Sequence, residues 1–129
     1  METKSKNLGN LGEKIAKNFL EKRGYKILAK NYIPKWAGFD KKEIDLIAKK
    51  DNVFSFVEVK TLAGNKNFFP EDKVDFLKQK KIIRTAESYF LEKKIPLDKA
   101  WQIDVIAIRI DLESKKAKIR HIKNAVGEL

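Results

Sequence analysis

The sequence predicts a small α/β protein: one mixed β-sheet flanked by helices, in the order helix, three strands, helix, two strands. Two observations carry this reading. Apolar residues recur at helical spacing in two segments only, and between and after them lie short runs rich in Val, Ile and Phe. The breaks between these segments fall at Gly24, Asp51-Asn52 and Pro96, residues that end helices or turn chains.

Taken in order, Leu8, Leu11, Ile15, Phe19 and Leu20 define a first helix over about 8–23, which Gly24 ends. A strand follows over 25–32, then a loop over 33–41 containing Pro34 and Gly38. Strands over 43–49 and 53–62 are joined by a two-residue turn at Asp51-Asn52. The stretch Gly64-Asn65-Lys66-Asn67 reads as a loop. Pro70-Glu71-Asp72 opens a second, longer helix with proline and acids where a helix start favours them. Its apolar face is Phe76, Ile83, Ala86 and Phe90, with Ile82 and Tyr89 alongside; Lys93-Lys94 suit its negative pole and Pro96 stops it. Residues 101–110 form a strongly β-branched interior strand, and 115–123 a last, basic one.

The chain has 129 residues, enough for one domain over 1–129 with one core. Lys and Arg number 29 against 18 Asp and Glu, a net charge of +11. A balance this basic, spread along the chain, favours a polyanionic partner, nucleic acid first among them. There is no cysteine, which removes thiol nucleophiles, cysteine-held zinc and disulfides, and fits a reducing cytoplasm. The single histidine, His121, excludes a multi-histidine zinc site, and its basic strand suggests a surface position. Chemistry is left to carboxylates, lysines and tyrosines, and oxygen-only sites suit Mg²⁺ or Mn²⁺. No apolar run approaches the roughly 18 residues of a membrane span, and the polar N-terminus does not read as a secretory signal.

Two acidic stretches carry most of the functional information: Glu43-Ile44-Asp45-Leu46-Ile47 and Phe56-Val57-Glu58-Val59-Lys60. With a two-residue turn at Asp51-Asn52, Lys50 pairs with Val53, and counting outward sets Asp45 opposite Glu58 and Glu43 opposite Lys60. Facing side chains have Cβ atoms about 4.5–5.5 Å apart, and like charges there are destabilising. Two facing carboxylates therefore call for a cation, and a divalent metal is the simplest. Alternate strand residues point the same way, so Lys60 shares the face of Glu58. The other face is apolar: Ile44, Leu46, Ala48, Val53, Val57 and Val59. The same residues also allow a plain Glu43–Lys60 ion pair with Asp45 and Glu58 solvated.

Asp45…Glu58-Val59-Lys60 resembles the PD-(D/E)xK nuclease signature, and the element order resembles the core of that superfamily. Nearly the whole chain is similar to the small bacterial YraN-like family of uncharacterised proteins. The matching residues are Gly9, Gly12-Glu13, Ala16, Gly24-Tyr25-Lys26-Ile27-Leu28, Asn31, both acidic stretches, Val74, Lys78-Gln79, Lys81, Asp104-Val105-Ile106 and Asn124-Ala125. The resemblance implies a restriction-endonuclease-like core, similar to archaeal Holliday-junction resolvases. It implies Glu13, Asp45 and Glu58 as metal ligands, and these three with Lys60 as the catalytic set. Helical geometry by itself leaves Glu13 a solvated acid at the edge of the apolar face. The chain departs from the family pattern at Lys42, where glycine is usual, at Leu62, near where arginine is often found, and at Gln102-Ile103, where arginine precedes the strand.

On the second helix Lys73, Lys80, Lys81 and Arg84 lie away from the apolar face, and with Lys78 they form a candidate track for phosphates. A solvated helix face accounts for the same lysines. Phe68-Phe69 and Trp36 can stack on bases, pack under loops or meet a protein partner; Trp101 reads as core. The expectation is a Mg²⁺- or Mn²⁺-dependent nuclease acting on DNA, branched or flapped, as a monomer or homodimer. The alternatives are a non-catalytic nucleic-acid-binding protein with a nuclease-like fold and a protein-interaction module.

Overall fold

A computed structural model describes residues 4–35, 44–64 and 76–125. The elements are α1 (Lys4–Lys22), β1 (Lys26–Tyr32), β2 (Ile44–Lys50), β3 (Val53–Ala63), α2 (Phe76–Glu92), β4 (Trp101–Asp111) and β5 (Lys116–Ile122). The predicted order of helices and strands is the observed one. The expected α2 start at Pro70 lies outside the described residues, as do Trp36, Glu43, Phe68, Phe69 and Lys73.

The strands form one sheet in chain order, β1-β2-β3-β4-β5. All neighbours are antiparallel except β3 and β4, which run parallel because α2 lies between them in the chain. Asp51 and Asn52 both have positive φ, 52° and 64°, as a two-residue type I′ turn requires. That turn sets Lys50 against Val53, the predicted register, and holds it through Leu46 and Val57.

Both helices close in the same way. Gly24, at φ 90°, follows α1, with the Gly24 N–H on the Glu21 carbonyl and the Tyr25 N–H on the Leu20 carbonyl. Lys94 does this after α2 at φ 57°, its N–H on Leu91 and that of Ile95 on Phe90. Both are Schellman closures, which satisfy the last helical carbonyls.

The sheet is covered on both faces. Ala16 and Leu20 of α1, with Tyr25, pack on Leu46, Ala48, Val57, Ile106 and Ile108. Ile82, Ala86, Tyr89 and Phe90 of α2 pack on Ile47, Phe54, Phe56, Ile103 and Val105. Phe56 meets Phe90 and Trp101 edge to face, so Trp101 joins the rim of this core as expected. Ile44 departs from its expected face: it clusters with Ile47 on the α2 side, not with Leu46 and Ala48. Beyond Leu46 the strand has left β3 and pairs only with β1, where Ile44 lies against Tyr32, so the parity of the β2–β3 pleat no longer governs it.

Candidate functional site

The site forms where β2 and β3 part. Their ladder ends at Leu46–Val57, one step before Asp45 would face Glu58. In place of the next rung, the Val59 N–H donates to Asp45 Oδ2 at 2.7 Å. The carboxylate thus stands where a β2 carbonyl would have continued the sheet. Among the described residues, strand β3 runs on paired with β4, with Glu58 beside Val105 and Lys60 beside Ala107. An opening between two strands of a covered sheet can be reached by side chains from both layers.

Helix α1 reaches it from one side. A Cβ on Gly12 would stand 1.9 Å from Thr61 Oγ1 and 2.9 Å from Thr61 Cβ, so only glycine lets the helix lie this close to β3. This contact places Glu13, the next residue, within electrostatic reach of Asp45. Helix α2 reaches it from the other side: Lys78 Nζ is 2.6 Å from Glu58 Oε2. Glu58 is buried, whereas the Lys78 side chain remains half exposed.

The electrostatics are those of a site with surplus negative charge. Burial pushes the Asp45 carboxyl up, the Glu58 and Glu13 charges push it further, and together they raise it from 3.8 to about 7. The Val59 N–H and the Lys78 ammonium oppose this only in part. An oxygen-only donor set lacking enough positive charge fits a hard divalent cation. Among the described residues, the side chains as they lie form no group of three carboxylate or imidazole ligands. The Lys78 ammonium is instead the cation that Glu58 holds.

Of the residues expected at a metal, Asp45, Glu58 and Glu13 therefore share one electrostatic neighbourhood. Lys60 is half-buried two residues beyond Glu58. Lys80, Lys81 and Arg84 are exposed on α2, whose Gln79, Ile82 and Ala86 turn inward. Lys78 belongs to the carboxylate site as well as to that basic face, because the helix carries its long stem to Glu58, midway along β3. Only its place in the family-like stretch with Gln79 and Lys81 hinted at this.

A second polar cluster lies on the α1 side of β4 and β5. Asp104, fully buried, accepts the Gln102 side-chain amide and the Asn124 N–H on Oδ1, each at 2.9 Å. His121 Nε2 is 2.9 Å from Oδ2. Burial acts to raise the Asp104 carboxyl, but the His121 hydrogen bond, the Asn124 N–H, the His121 charge and the Gln102 amide together hold it below the usual carboxylate value. The expectation that His121 is a surface residue is corrected: its side chain is 8 % exposed, tied to Asp104 and packed edge-on by Phe19 and Tyr25. A basic strand read alone gave no sign that its histidine faces an aspartate of the neighbouring strand.

Residues 12–108 match the model of the uncharacterised protein family UPF0102. Among curated proteins the chain is similar to a UPF0102 protein of Clostridium beijerinckii, 39 % identical over 97 % of both chains. It is 41 % identical to one of Caldanaerobacter subterraneus subsp. tengcongensis over 93 % of this chain and 94 % of that one. A third, of Roseiflexus castenholzii, is 35 % identical over 94 % of each.

Proposed function

The chain belongs to the uncharacterised protein family UPF0102, and on that premise we propose that it is a metal-dependent nuclease that hydrolyses DNA phosphodiester bonds, branched or flapped DNA being the preferred substrate. The observation that carries this reading is the Asp45 carboxyl, raised to about 7 at the parting of β2 and β3 by burial, Glu58 and Glu13. In this reading Asp45 and Glu58 hold Mg²⁺ or Mn²⁺ through oxygen, and Glu13 adds a third carboxylate from α1.

When bound, such an ion polarises a phosphate oxygen and lowers the pKa of a water. The residues of the chain do the rest. The Val59 N–H fixes Asp45 Oδ2, so the carboxylate needs no reorganisation. Lys60, on the face of Glu58, orients the attacking water and offsets charge at the phosphate. With Glu58 engaged by such an ion, Lys78 would be left to turn its half-exposed ammonium toward the scissile phosphate. Lys80, Lys81 and Arg84, further along the same helix, carry the backbone beyond it. The lack of cysteine suits a reducing compartment, and the cytoplasm is part of the proposal; no helix among the described residues is long and apolar enough to cross a membrane.

Incubation with Mg²⁺ or Mn²⁺ and a panel of branched, flapped and single-stranded DNAs tests this. Cleavage by the wild type and its loss in Asp45→Ala are expected; equal cleavage by both sinks the proposal. One observation favours a second reading, a nucleic-acid-binding protein without turnover: Lys78 already occupies Glu58. Salt-dependent DNA binding that metal neither strengthens nor converts to cleavage would decide for it.

A further inference from the structure

At the far end of α1 from Glu13, about 15 Å along the helix, an open cavity of about 760 Å³ lies on the same face of the sheet. Its size is that of a small-molecule site, for which about 300–1,000 Å³ is usual. Three cations line it, Arg23, Lys50 and Lys123, together with His121, and no acidic residue does so among the described residues.

Two of the cations are held in place by aromatic rings. The Arg23 guanidinium lies 3.9 Å over the centre of Phe19, and the Lys50 ammonium 5.3 Å over that of Tyr25. Stacking on a ring fixes the guanidinium plane yet leaves its N–H edge open, the edge that grips phosphate in bidentate fashion. The Lys50 stem passes Gly24, where its Cε would stand 3.7 Å from an added Cβ. The floor is equally fixed. Asp104 accepts from the Gln102 amide and the Asn124 N–H and lies 2.9 Å from His121 Nε2, which holds the ring in place.

We propose that this cavity binds a phosphate monoester, as carried by a nucleotide or by the phosphorylated end of a nucleic-acid strand. A monoester carries about −1.5 to −2 charges at pH 7 and three acceptor oxygens, which match a cavity lined by three cations better than a singly charged diester does. The site stands on the opposite face of the sheet from the Glu58–Lys78 pair and does not depend on the nuclease reading.

The test uses the whole chain in EDTA, so that no metal chemistry enters. Binding of dAMP, deoxyadenosine, and a short single-stranded oligonucleotide with and without a 5′-phosphate is measured by calorimetry, with His121 ring shifts followed by NMR. The phosphate should tighten binding at least tenfold and shift the His121 signals. Equal affinity for dAMP and the phosphorylated strand assigns the site to a nucleotide; tighter binding of the strand assigns it to strand ends. The double variant R23Q/K50Q should lose the phosphate preference, while K93Q/K99Q, which removes the same charge from the exposed connection after α2, should keep it. Affinity that ignores the terminal phosphate, or falls equally in both variants, overturns the proposal and leaves Arg23 and Lys50 serving only the negative pole of α1. Unchanged thermal melting of both variants guards against misfolding, and the wild-type His121 shifts decide without any variant.

Discussion

Replacing Asp45 by asparagine keeps an oxygen to accept the Val59 N–H and removes the charge. A carboxyl moved from 3.8 to about 7 costs on the order of 4 kcal/mol once both states are ionised, at about 1.4 kcal/mol per pH unit. The sign follows from the direction. Below about pH 4 the folded and unfolded chains both carry the proton, and the site costs nothing. Between about 4 and about 7 the unfolded chain gives up the proton first, so the stability of the wild type falls as pH rises. Above about 7 the full cost is present. The uncharged amide of Asp45→Asn brings no such dependence. The variant should therefore match the wild type near pH 4 and exceed it at pH 8, with Tm higher by roughly 10 °C at about 3 °C per kcal/mol. Thermal melting of both proteins from pH 4 to 8, in EDTA, is the assay. Mg²⁺ or Mn²⁺ added at pH 8 should raise the wild type toward the variant and leave the variant unmoved. A variant that melts at or below the wild type at pH 8, or whose advantage is the same at pH 4, refutes the charge-crowding account.

Other expectations follow from single contacts. Lys78→Met leaves the buried Glu58 without its ammonium and should cost about 1–3 kcal/mol at pH 7 in urea unfolding, with a divalent cation restoring part of the loss. Gly12→Ala forces a Cβ onto Thr61 and should cost about 1–3 kcal/mol; adding Thr61→Ala, which leaves only the Cβ contact, should relieve part of it. Asp104→Ala strands His121 and two further donors and should cost about 3 kcal/mol or more. Because the Asp104 carboxyl is held low, its contribution is present above the ordinary value of 3.8 and is lost as pH falls below it; the gap between wild type and Asp104→Ala should close in acid. Lys94→Gly relieves a left-handed backbone at the α2 closure and should stabilise by about 0.5–1 kcal/mol, read by the same unfolding curves.

The order of elements was legible in the sequence because each is encoded locally: helical spacing through Phe19 and Leu20, an Asp-Asn turn tolerant of positive φ, and a β-branched run over 101–110. The β2–β3 register was legible too, since a two-residue turn leaves no freedom in the pairing. Where that ladder ends was not. Whether Asp45 faces Glu58 as one more rung or turns its carboxylate onto the Val59 N–H depends on where the strands part, which the turn does not fix. Nor could the sequence place Lys78, which reads as one more cation on a basic helix until α2 docks over β3. His121 was misread for the same reason. Its environment is made by Asp104 on the neighbouring strand and by Phe19 and Tyr25 near the end of α1, residues brought together only by the folded sheet. Spacing along a chain fixes which way a side chain points within its own element; what it then meets is decided by the packing of the elements against one another.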